Sequence, residues 1–211
     1  MSNRFVGIYW TLLVNWIGFR NLPKDVDAAA AASKTILYQR ERVRRHGAGF
    51  GGKLIKEIAF MDVRTDRATD AVKDVLAREA QAYARTCVAL LAVRFADVHH
   101  WRRSRFLHEA AHDLGFDLVP LGPTPILIDD ELFDPIRHFS EWRKRDEGAM
   151  LWLRAEAEEG LRAALAAAPE SEGRWRIVAD TLNGRGVRTI RGGKWTAENA
   201  RKLAGRLRPT D

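Results

Sequence analysis

The sequence predicts an α/β fold: a mainly parallel sheet flanked by helices, followed by a long helix and a small helical basic module. Three observations predict it. Short apolar runs alternate with helical patterns over residues 1–130 at the spacing of βαβ units. Residues 131–168 then carry a long one-sided helical pattern. From residue 169 the chain turns strongly basic and its helical patterns become short.

Taken in order, residues 5–10 form an apolar run that reads as a buried strand extending towards Val14. Residues 16–32 are irregular and then alanine-rich. Residues 33–45 read as a helix with Ile36, Leu37 and Val43 inward and Arg40, Arg42, Arg44 and Arg45 outward. The glycine-rich stretch 47–52 follows a helix and precedes a strand. A dinucleotide-binding loop needs the opposite order, so this stretch is expected to be a plain turn. Residues 53–60 read as a second strand, and 68–84 as an amphipathic helix with Ala71, Val72, Val75 and Leu76 on its apolar side. Residues 88–93 read as a third, fully apolar strand, and 97–105 as a polar basic loop. A helix over 106–114, a fourth strand over 116–120 and a short fifth over 126–128 complete the sheet region. In the long helix Met150, Leu153, Ala157, Leu161, Leu165 and Ala168 recur at spacings of three and four, with Arg154, Glu156, Glu158 and Glu159 on the far side. Such a stripe packs on its own domain or seats a partner helix, and a homodimer is expected through it.

The bulk properties narrow the class of partner. The chain has 211 residues, a net charge of +7 and a pI near 9.9, which favours a polyanionic partner. Residues 169–211 hold ten lysines and arginines against five acidic residues, so a surplus of five out of seven sits in the last fifth. The single cysteine, Cys87, excludes an internal disulfide framework and fits a reducing cytoplasm. No apolar run reaches membrane-spanning length. The apolar N-terminus is interrupted by Arg4 and Asn15 and lacks a small-residue cleavage pattern, so no signal peptide is expected.

Residues 175–207 read as two short helices around a small hairpin or wing. Ile177, Val178 and Leu182 share one helical face, and Asn183, Gly184 and Gly186 close that helix. Residues 187–195 are extended, with Gly192 and Gly193 as a tight turn. Thr196 caps a second helix, with Asn199 inside and Leu203 and Leu207 buried. The polar positions are mostly cationic, and Arg185, Arg188, Arg191, Lys194, Trp195, Arg201 and Lys202 are the candidate contacts to double-stranded DNA. The cations would neutralise phosphates, while a helix or wing reaches base edges.

This segment resembles one found in serine recombinases of the resolvase/invertase family. The match runs through Ala179, Asp180, Thr181, Leu182 and Asn183, then Gly186 to Thr189, then Arg191, Gly192, Gly193, Lys194, Trp195 and Thr196. The resemblance implies a resolvase-like α/β domain over 1–130, a connecting and dimerising helix over 131–168, and a DNA-binding module over 169–211. It also implies an activity in DNA recombination or integration, with no cofactor or metal. The family's first strand ends in a run whose serine attacks the DNA phosphate. Phe5 to Tyr9 resemble that strand, but the serine position falls on Leu12. Gln39 matches the glutamine opening the family's next helix, after an insertion. Arg67, Arg103 and Arg154 fall on family arginine positions, while His100 replaces another. Leucine offers no nucleophile, and Thr11, one residue away, points to the opposite strand face. The resemblance therefore implies a pseudoenzyme that binds DNA, or a partner subunit of an active recombinase.

A second chemistry competes. His108, Glu109 and His112 fit the HExxH pattern of zinc hydrolases, in which the two histidines share a helix face and the glutamate is the base. The extended pattern needs a third histidine where Leu118 stands, and Glu131 and Glu141 are distant substitutes. The segment sits between two strands of the α/β pattern, where an ordinary crossover helix belongs, and that reading is preferred.

Overall fold

The computed structural model describes residues 4–14, 17–62, 70–83, 88–95 and 105–207. The chain forms two compact units, one reaching Phe139 apart from residues 15–17, the other running from Ser140 onward.

In the first unit four parallel strands, β1 (Arg4–Leu12), β2 (Lys53–Asp62), β3 (Ala89–Val93) and β4 (Asp117–Leu121), lie in the order β2-β1-β3-β4. This is the mainly parallel sheet that the alternating runs imply. Strand alternation sends Phe5 and Tyr9 to one face and Val6 and Ile8 to the other. The first face is covered by α1 (Val26–Ala32) and α2 (Lys34–Gly49), whose Ala29, Ala30, Ile36, Tyr38 and Val43 are buried there. The second is covered by α3 (Asp70–Tyr83) and α4 (Arg105–Asp113) through Val72, Leu76, Ala110 and Ala111. Gly7 makes room for the Tyr9 ring, because a Cβ there would stand 2.4 Å from the Tyr9 hydroxyl.

Local signals explain where the elements differ from expectation. α1 falls inside the stretch read as irregular: Asp25 caps it, accepting from the Ala28 N–H at 2.8 Å, and its alanines favour helix. Ser33 caps α2, which runs on through Gly47 and Gly49, so half of the expected glycine turn is helical. Residues 131–133 are a strand, not helix. Asp129 and Asp130 both take positive φ, which closes a two-residue hairpin between β5 (Ile126–Ile128) and β6 (Glu131–Phe133). The long helix α5 (Pro135–Ala167) starts only after Asp134, whose Oδ1 accepts from the Ile136 N–H at 2.8 Å, with Pro135 in its first turn.

In the second unit α5 shares a core with α6 (Arg174–Gly184) and α7 (Ala197–Ala204). Ala157, Leu161 and Ala164 pack with Val178, Ala179, Leu182, Trp195 and Ala200. The C-terminal half of the expected dimer stripe is therefore covered by the chain's own helices. Full burial of Leu161 contributes about 2 kcal/mol to that packing. Gly160 lets the loop approach: a Cβ there would meet Val187 Cγ1 at 3.1 Å. Ile177, expected inward, is 41 % exposed, and Ala179 takes the buried place. Among the described residues no helix is long and apolar enough to cross a membrane.

Candidate nucleic-acid interface

The basic module is built on a polar clamp. Asn183, near the end of α6, accepts from the Trp195 N–H at 2.9 Å and donates to the Trp195 carbonyl at 3.0 Å. Between them the chain makes no strand. It closes a turn in which the Thr189 N–H donates to Gly193 O at 3.0 Å, Gly192 N–H to Thr189 O at 2.7 Å, and Gly193 N–H to Thr189 Oγ1 at 3.0 Å. The expected hairpin is thus a turn-closed loop, because these short-range bonds and the Asn183 clamp replace a ladder. Thr196 caps α7 as expected, and Asn199, inside the helix, completes a reciprocal capping box that stabilises the helix start.

This framework decides which side chains face solvent. Arg185, Arg188, Arg191, Lys194, Arg201, Lys202 and Arg206 are all exposed. Lys202 pairs with Glu198 one turn earlier, and that lysine, with Arg201 nearby, lowers the Glu198 carboxyl pKa. Arg185, Arg188, Arg191, Lys194 and Arg206 make no ion pair among the described residues. Trp195 corrects the expectation: it is only 4 % exposed and belongs to the module's core, so its ring is not presented to a ligand. Its buried indole N–H has no hydrogen-bond partner among the described residues. The run of arginines around it, read as one polar surface, hid the fact that its ring fills the space between α6 and α7.

The first unit holds the positions tied to strand cleavage. In parallel α/β sheets ligands gather at the carboxyl ends of the strands. There Leu12 is 9 % exposed, and Thr11, 6 % exposed, accepts from Ser33 Oγ at 3.1 Å. Thr11 is therefore a packed hydroxyl bound to a helix cap. Gln39, matched to the glutamine that opens the family's helix, lies inside α2, as the helical pattern over 33–45 implies, and is fully buried. Its Oε1 accepts from the Trp10 N–H at 3.2 Å, and its Nε2 donates to Trp10 O at 2.6 Å and Thr35 O at 3.0 Å. It anchors α2 to β1. Arg67 and Arg103 lie outside the described residues, as do His99, His100 and Cys87. Arg154 lies in the second compact unit, exposed, with its Nε 2.9 Å from Glu158 Oε1.

Two further expectations change here. Of the arginines expected outward on α2, Arg40 and Arg44 instead join a network. Arg44 holds both oxygens of Glu57 at 2.9 and 2.8 Å, the Tyr9 hydroxyl donates to Glu57 Oε1 at 2.7 Å, and Arg40 and Arg44 both reach Asp27. Burial first, and then the Glu57 carboxylate, raise the Tyr9 phenol far above its ordinary pKa. The histidines of the HExxH pattern, His108 and His112, are both exposed on α4, whose Ala110 and Ala111 face the sheet. No group of three metal-ligating side chains occurs among the described residues, so the pattern reads as the solvent side of a crossover helix.

No family model, curated protein or solved structure matches this chain.

Proposed function

We propose that this is a cytoplasmic duplex-DNA-binding protein of the serine recombinase type that has no strand-cleaving activity of its own. The observation that carries the reading is the set of five exposed cations, Arg185, Arg188, Arg191, Lys194 and Arg206, that make no ion pair among the described residues, the first four on a loop pinned by Asn183. A surface cation already paired with a carboxylate has little to gain from a phosphate. An unpaired one releases counterions when a phosphate arrives, and that release drives association. Pinning the loop lowers the ordering cost of binding.

Cleavage fails on chemistry. A phosphoserine link needs an activated hydroxyl at the position where Leu12 stands, and electrostatic stabilisation has no bond-forming step to act on without one. Thr11 supports this reading, since its hydroxyl is buried against Ser33. The experiment is a salt titration of binding to a duplex, comparing the full chain with variants lacking the loop cations. A steep salt dependence that shrinks with each cation removed supports the reading.

A further inference from the structure

The turn that joins α2 to β2 holds an aromatic ring out to solvent in a cationic setting. Phe50 is 72 % exposed. Three backbone bonds nevertheless fix the turn: the Phe50 N–H donates to His46 O at 3.2 Å, Gly51 N–H to Ala48 O at 3.2 Å, and Gly52 N–H to Gly47 O at 2.9 Å. Gly52 lies against the buried Phe5 ring, where no Cβ would fit, so the turn is seated on the core. Gly49 and Gly51 flank Phe50, and a Cβ at either would meet nothing within 4 Å. The Phe50 ring leans on His46, centroids 4.6 Å apart. Burial, and then Arg42, lower the His46 pKa, so this support is an uncharged ring at neutral pH.

The surrounding charge is one-sided. Residues 42–56 hold five lysines and arginines and no carboxylate. Arg44 pairs with Glu57 and Asp27, and Lys56 with Glu79. Arg42 and Arg45 donate to the backbone carbonyls of Gly122 and Leu127, which leave their charge intact. Lys53 is exposed and makes no ion pair among the described residues, and its register partner on β1 is the exposed Arg4.

We propose that this turn binds single-stranded nucleic acid, with an unstacked base packed on Phe50 and neighbouring phosphates drawn to Lys53 and the cations around it. Every base has a π face, so a bare aromatic ring among cations receives a strand without reading its sequence. In a duplex each base is already stacked between its neighbours, and a lone ring has nothing to receive. A lipid surface fits less well. Insertion needs several apolar side chains together, and the residues flanking Phe50 from 47 to 52 are glycine and alanine. The site is built from the first unit alone and does not depend on duplex binding by the basic module.

The test is fluorescence anisotropy of labelled oligothymidylate and oligouridylate with the full chain carrying Arg188→Ala/Arg191→Ala/Lys194→Ala, which removes cations of the basic module. Binding is expected, and the tighter of the two strands names the sugar. Phe50→Ala and Phe50→Leu, added to that chain, should each weaken binding at least about fivefold, while Phe50→Trp should keep it, because leucine is apolar but offers no ring face. Lys53→Ala should lower the slope of log affinity against log salt by about 0.7, the share of one phosphate on a single strand. Phe50 is exposed, so the circular dichroism spectrum should not change. In the chain with its basic module intact, Phe50→Ala should leave duplex affinity unchanged. A folded Phe50→Leu chain that binds the strands as tightly as its parent overturns the proposal. So does an equal loss of duplex affinity in Phe50→Ala, or binding of phosphatidylserine vesicles through Phe50 in place of either oligomer.

Discussion

The Asn183 side-chain amide engages both backbone groups of Trp195, accepting from its N–H at 2.9 Å and donating to its carbonyl at 3.0 Å. One side chain thereby does what a partner strand would do, and the loop of the basic module is held without a sheet. Gln39 does the same for Trp10 in the first unit, joining α2 to β1. Both amides satisfy a backbone that would otherwise be buried unpaired.

Asn183→Leu should therefore destabilise the second unit by about 2–4 kcal/mol, two lost bonds with their backbone groups left unsatisfied. Chemical denaturation followed by tryptophan fluorescence reads this. An unchanged unfolding midpoint would show that the loop is held by other contacts.

Leu161→Asp should unfold α6 and α7 from α5, because a carboxylate would be buried in the core of the second unit. Circular dichroism should lose helix, and limited proteolysis should open the chain beyond residue 168. A folded variant of native helix content would mean that Leu161 faces outward.

Tyr9 and Tyr38 should resist alkaline titration. Burial pushes the Tyr38 phenol up to about 12, and Tyr9 is raised further by burial and Glu57. Unfolded tyrosine ionises near pH ~10. The stability held in these neutral phenols is complete below that pH and is lost as pH climbs from there towards the folded values. Of three tyrosines, two should release their protons only with unfolding. Full phenolate absorbance at unchanged circular dichroism would contradict this.

Nicked or suicide duplexes should yield no covalent protein–DNA adduct, since Leu12 has no hydroxyl and that of Thr11 is packed against Ser33. A trapped adduct that disappears in Thr11→Ala would show that β1 can shift to bring Thr11 forward.

The sheet was legible because period-two alternation and fully apolar runs reflect burial between helix layers, as in β3, where all five residues are buried. The β5–β6 hairpin was missed for want of a glycine at the turn, although two consecutive aspartates also tolerate positive φ. The cations of the basic module were legible by composition. Trp195 was not, because an aromatic among arginines looks like a stacking platform until its neighbours are known. Nor could periodicity tell which face of α5 is covered: the stripe through Leu161 packs within the chain, while Leu151 and Trp152 remain outside.

The most direct measurement is duplex DNA affinity as a function of salt, for the full chain and for Arg188→Ala/Arg191→Ala/Lys194→Ala. Removing residues from 169 onward is a poorer comparison, because it strips the cover from Leu161. These three side chains are exposed and outside the core, so the variant should fold. The slope of log affinity against log salt should fall by about one for each phosphate contact removed, with weaker binding at every salt concentration. Unchanged affinity and slope in a folded variant would contradict DNA binding through this module.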